Sequence, residues 1–431
     1  MSSEASRTNR SDLVSRFWTR WKAAEDLHLG MVFENIRDFA LAKLTLCDPW
    51  YFDRVQKSQS MSHSQAALFA PICTRALVEF DAACPQVRDL EEDMVSGHMR
   101  ILFSVPEHNS YIYSGTPSEP ILAEAAAMLM NEHNYNAVEL LADDAESSFL
   151  KLGPDLITRL LLMSAYDRAV CKRIPERDNR IYSTAVPLID FLDELFASQW
   201  HDTLRSCTAQ GSSSTLYDSF SGAFVRFTHF VKYNGDSLLD SLASLAGVAR
   251  GFACYLSPPQ AGIHIAIPVV MHDDKLSEEL MSFLLIDVKS KDEVAYRPGQ
   301  DALAEIFHHT SHSHPIIHLL VQFDPGTSTP AKIAMDEESF PHPCYRLTAY
   351  GCSPSVYKVI NDANHAAYTT LRRPQTLASE HIRQDERNVA IVQGFKGEWE
   401  RGSACYSWID IPTLNTALDE PHEEVEGLFA I

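Results

Sequence analysis

Hydrophobic spacing divides the chain into two parts of different period. From Ser11 to about Lys43, apolar residues recur three and four positions apart. They run through Phe17, Trp21, Ala24, Leu27 and Met31, then Phe33, Ile36, Phe39 and Leu41, the spacing of a helix with one buried stripe. Ala66–Ala83 repeats that pattern. Residues 85–92 read as a break, Arg100–Val105 as a short strand, and the Pro-, Ser-, Gly- and Asn-rich stretch that follows as a loop. Further helices are predicted over Ile121–Met130, Ala137–Leu152, Pro154–Ile174 and Val186–Leu204, with proline tolerated in the first turn. Residues 1–207 therefore read as a helical region without an internal repeat.

Thr208–Ser214 (TAQGSSS) combines glycine with a serine run, the composition of a linker, and a boundary is placed at 208–215. Beyond it, Thr215–Tyr233 reads as a helix with Phe220, Phe224, Phe227 and Val231 on one stripe, and Ser237–Ala249 as a second helix. The pattern then changes to short runs rich in Ile, Val and Leu, which is how buried strands read. These are residues 252–256, 263–271, 283–289 and 316–324, with a polar turn (HDDKLSEE) after the second and a helix over 301–309 before the last. Past Asp324 come a strand over Tyr345–Gly351, a short helix over Ser353–Asp362, a charged stretch at 372–388 and a strand over 389–395. The fold class is α/β (α+β): a helical first region, then a domain over 216–431 with additional strands.

Composition changes this picture little. Of 431 residues, 45% are hydrophobic and 22% charged, which is ordinary for a globular chain with a sizeable core. The net charge of −22 repels a phosphate backbone at long range and disfavours wholesale nucleic-acid binding, leaving room only for a local basic groove. Nine cysteines, an odd number without CxxC spacing, fit buried thiols in a reducing compartment. No signal-peptide core or membrane-length apolar run occurs. The expectation is an intracellular protein, cytoplasmic or nuclear, off the membrane.

Charge intrudes on one predicted core strand only, at Asp287-Val288-Lys289. Residues i and i+2 of a strand share a face, so Asp287 and Lys289 stand side by side while Val288 points into the core. Over residues 216–324, the element order α-β-β-β-α-β with a D-x-K triplet in its third strand resembles the PD-(D/E)XK, or restriction-endonuclease-like, nuclease superfamily. The whole chain also resembles a group of uncharacterised fungal proteins with helical N-terminal regions, a likeness that implies no activity.

The superfamily resemblance implies that Asp287 and an acid on the preceding strand together hold Mg²⁺ or Mn²⁺, and that Lys289 positions the attacking water beside a phosphodiester of DNA or RNA. Hairpin geometry locates the partner. With the turn centred near Lys275–Leu276, Asp287 lies about eleven residues beyond it, and its cross-strand neighbour about as far before. That falls on Ile263–Ile265, where the only side chain with chemistry is His264, in place of the superfamily's aspartate. Asp273 and Asp274 sit at the turn, and the accessory acid of the first helix has only Asp218 as a candidate. The bland reading of Asp287 and Lys289 is a strand-end ion pair, and of His264 a buried, hydrogen-bonded histidine.

His308, His309, His312, His314 and His318 resemble a metal tract, yet no acid or cysteine completes a ligand set, so surface or loop histidines are the plainer reading. GxGxxG, GxxxxGK[ST], GxSxG and HExxH are absent from the sequence. Two functions follow. One is a metal-dependent nuclease with altered or lost activity, with Asp287 and His264 as ligands and nucleic acid as partner. The other is a non-catalytic scaffold for a protein partner.

Overall fold

The first amphipathic run is a helix, α1 (Leu27–Thr45), as its spacing predicts. In this computed structural model the described residues are 27–46, 64–80, 85–105, 112–133, 135–145, 150, 152–176, 180–209, 213–233, 241–260, 262–271, 276–289, 314–323, 332–335 and 343–372. The described residues all fall within one compact unit, spanning 1–374.

Next come α2 (Gln65–Ala76), capped by the Ser64 hydroxyl, and α3 (Pro85–Gly97). The break expected at 85–92 is thus a helix, because Pro85 occupies the first turn, where its missing N–H has no intrahelical partner to lose. A two-stranded sheet, β1 (Ile101–Ser104) and β2 (Tyr113–Gly115), precedes α4 (Pro120–Glu132), α5 (Ala137–Asp143) and α6 (Pro154–Arg173). A two-residue strand, β3 (Val186–Pro187), leads to α7 (Leu188–Leu195) and α8 (His201–Ser206), so the helix expected over 186–204 is broken by a 3-10 turn at Ser198–Trp200. No helix among the described residues is long and apolar enough to cross a membrane.

The residues flanking the boundary placed at 208–215 are tied together. Thr208 bridges Thr215, and Cys207, Ala209 and Leu216 join one buried cluster extending from Ala40 to Leu371.

The helix expected over 215–233 is instead a single turn, α9 (Leu216–Ser219), followed by strands β4 (Phe224–Val225) and β5 (His229–Tyr233). Residues 223–230 are all buried, so the stripe of phenylalanines never faces an exposed side. Aromatic and β-branched side chains in such a run favour a pleated surface over a helix. Helix α10 (Ser241–Arg250) comes next, then β6 (Phe252–Gln260), β7 (Ile263–Val270) and β8 (Met281–Lys289). The last described elements are β9 (Ile316–Gln322), β10 (Lys332–Met335), β11 (Cys344–Tyr350) and α11 (His365–Leu371). Strand β10 was not anticipated, and the helix expected over 353–362 is a series of turns in which Tyr357 bridges Phe196.

The result is a mixed α/β fold around a curled sheet of mixed strand direction. Its path runs β10-β11-β9-β8-β7-β4-β3. The sheet forks at β7, whose first half pairs with β6 and whose second half pairs with β4. Strand β7 runs antiparallel to both β6 and β8, whereas β8–β9 and β9–β11 run parallel. Every residue of β8 is buried, which is why its sequence reads as a nearly unbroken apolar run.

Polar groups weld the early helices to this sheet. Glu124 of α4 accepts from the backbone N–H groups of Tyr182 and Ser183, each at 2.6 Å, just before β3. Arg226, fully buried after β4, donates to the carbonyls of Val248 and Ala249 at the end of α10, each at 2.6 Å. A cation there meets the negative end of the helix dipole. The next residue, Gly251, turns the chain out of α10 at φ +69°, a left-handed conformation that a side chain would strain.

Candidate functional site

Strand β8 places its charged residues as the pleat requires. Val288 enters the large buried cluster, while Asp287 and Lys289 share the opposite face with Phe283 and Leu285. The β7–β8 register pairs Ile265 with Ile286, and one step further sets His264 opposite Asp287. The three predicted site residues therefore converge. Asp287 Oδ1 lies 3.3 Å from His264 Nδ1 and 3.4 Å from Lys289 Nζ. The carboxylate is only 2% exposed, and Lys289 is buried as well.

Burying a carboxylate is costly unless opposite charge accompanies it. Here His264 Nδ1 and the Lys289 ammonium both address one oxygen. His264 Nδ1 also lies 3.0 Å from the Gly262 carbonyl and 3.2 Å from the Val288 backbone N–H. Two acceptors against one donor favour a proton on Nδ1. Burial draws the pKa of His264 down, but the contact of its imidazole with the accepting Asp287 carboxylate and the charges of Asp155 and Asp287 outweigh it, so the net shift is upward.

The sign of that shift makes a pH prediction. A raised folded pKa means that protonated His264 stabilises the fold. The contribution is fully present below the unfolded histidine value of about 6.5 and fades as pH rises through the folded value. Replacing His264 with Gln is expected to lower the urea midpoint more at pH 6 than at pH 8.5. An equal loss at both would mean that the imidazole does not carry charge in the folded protein.

Other candidates lie elsewhere. Asp218 is committed to capping α9, its Oδ2 at 2.7 Å from the Thr215 hydroxyl, so it is not an accessory acid of this site. His314 precedes β9 and bonds the Glu279 carbonyl, and His318 is buried within β9. His308, His309, His312, Asp273, Asp274 and the segments 301–309 and 389–395 fall outside the described residues. Among the described residues, no group of three His, Cys, Asp or Glu side chains is placed to hold a metal ion.

Sequence reading missed a neighbouring set from the helical region. Asp155, in the first turn of α6, is among the charges that act on His264, and Arg159 follows one helical turn later. The Arg159 guanidinium lies 4.0 Å from the ring centroid of Tyr255 on β6, whose cross-strand partner is Ile265, beside His264. Within the sequence, Asp155 marks only the start of a helix, and Arg159 carries no motif. Nothing in their spacing links them to residues a hundred positions away.

No family model matches the sequence, and comparison with curated proteins and with solved structures finds no significant match.

Proposed function

We propose that this chain carries a restriction-endonuclease-like core that has given up hydrolysis and serves as a binding scaffold. The order α10-β6-β7-β8-β9 supports the resemblance, with an antiparallel meander through β8 and a parallel step to β9. The loss of hydrolysis rests on one observation: His264 stands where a second carboxylate would be, and Asp287 is closed in by His264 and Lys289 at 3.3 and 3.4 Å. That donor set does not fit Mg²⁺ or Mn²⁺, which call for converging oxygen ligands. One carboxylate oxygen is shared between His264 Nδ1 and the Lys289 ammonium, and the imidazole nitrogen nearest to it faces protein groups. A net charge of −22 favours a protein partner over a phosphate backbone.

A second reading, a metal-dependent nuclease with an altered site, draws on Asp155, which brings another carboxylate towards His264. Calorimetry with Mg²⁺ and Mn²⁺ separates the two. The wild type is expected to give no binding at millimolar metal, and His264→Asp to gain Mn²⁺ binding that Asp287→Ala then abolishes. Wild-type binding lost in Asp287→Ala, together with cleavage of single- or double-stranded substrates, would establish the nuclease. No gain in His264→Asp would remove the nuclease-like geometry from consideration.

A further inference from the structure

Among the described residues, Arg159 is a buried charge with unpartnered donors. It is 4% exposed, and neither Nε nor Nη1 has a hydrogen-bond partner. Two other buried arginines, Arg75 and Arg226, are more fully satisfied. Arg75 holds Asp167 at 2.7 Å, and Arg226 has three backbone carbonyls. Guanidinium donors taken out of water without an acceptor are among the costliest arrangements in a protein interior. Arg159 is nonetheless held firmly, its plane lying over Tyr255.

Glu79 and Asp155 act on its charge without hydrogen-bonding Nε or Nη1. Glu79 is engaged by Lys232 at 2.7 Å. Asp155, four residues earlier on the same helix, has a buried Oδ1 that likewise lacks a partner. The N-terminus of α6 has no capping side chain, because its N-cap is Gly153. Asp155 is only half-buried and His264 is in part exposed, so the cluster reaches the surface.

We propose that Arg159 binds the phosphate group of a ligand. A fork of charged donors suits a tetrahedral oxyanion. The site lies on α6 and β6, and it stands whether or not β7 and β8 form a nuclease-like core.

The test uses the full chain and inorganic phosphate, titrated by calorimetry at pH 6.5, with acetate as the comparison anion. Wild-type protein is expected to bind phosphate in the millimolar range or tighter and to melt at a higher temperature in its presence. Arg159→Met, which keeps the contact with Tyr255, should weaken binding at least tenfold while remaining folded. Arg159→Lys should fall between the two. Should Arg159→Met fail to fold, the wild type and Arg159→Lys still decide the question. Three results would overturn the proposal: no phosphate binding by the wild type, equal binding by a folded Arg159→Met, or acetate binding as tightly as phosphate.

Discussion

Asp167→Ala is expected to cost about 3–5 kcal/mol of folding stability, the usual penalty for stranding the partner of a buried ion pair. Asp167 on α6 receives both Nη groups of Arg75 on α2, each at 2.7 Å, and the side-chain amide of Asn131 on α4 at 2.7 Å. Arg75 Nε donates at 2.8 Å to the carbonyl of Thr228, beside β5. Arg75 is wholly buried, so removing the carboxylate leaves a full charge without water and with a single carbonyl acceptor. Replacing both residues with apolar side chains of similar volume should cost far less than the single change, because the desolvation penalty leaves with the charge. Urea unfolding of Asp167→Ala and of Arg75→Met/Asp167→Leu measures both. A single-variant loss below about 1 kcal/mol would show that water or a neighbour replaces the carboxylate. The network joins three helices of the first half to a strand of the second, so its loss should loosen the contact between them.

That junction is the part of the fold the sequence hid. Strands β6 to β9 were legible because each is an apolar run bounded by turns, and the hairpin's arithmetic reached His264 from Asp287 without coordinates. The pairing of Ile265 with Ile286 follows from the two strand lengths and the turn between them, which are local quantities. Strands β4 and β5 were misread as helix because Phe220, Phe224, Phe227 and Val231 fall at helical spacing by coincidence. When both faces of a segment are buried, apolar periodicity no longer separates the two states. The site's second layer was illegible for another reason. Asp155 and Arg159 meet Tyr255 and His264 only through the packing of α6 on the sheet, and no single-sequence pattern records a contact at that separation.

The strongest pH dependence should come from His229, far from the charged residues of β8. Burial, reinforced by Arg250, Arg75 and Arg226, lowers its pKa to about 3. The imidazole is held neutral, with Nε2 at 3.0 Å from the Ser118 hydroxyl and Nδ1 at 3.2 Å from that of Thr228. A depressed folded value means that the unfolded chain takes up the proton first. Stability is therefore complete above about pH 6.5, declines as pH falls below it, and stops declining near the folded value. At pH 5 the loss from this residue is about 2 kcal/mol, since one unit of pKa difference corresponds to about 1.4 kcal/mol. His264 acts in the opposite sense, gaining stability as it protonates. Carboxylates elsewhere also titrate in this range, so the decisive quantity is a difference between proteins. His229→Gln keeps a polar side chain within reach of Ser118 and cannot take up a proton. Its stability relative to the wild type should improve by about 2 kcal/mol between pH 7.5 and pH 5 in paired urea titrations. A gap that stays constant across that range would mean that His229 is protonated in the folded state, which three surrounding guanidinium groups make electrostatically costly.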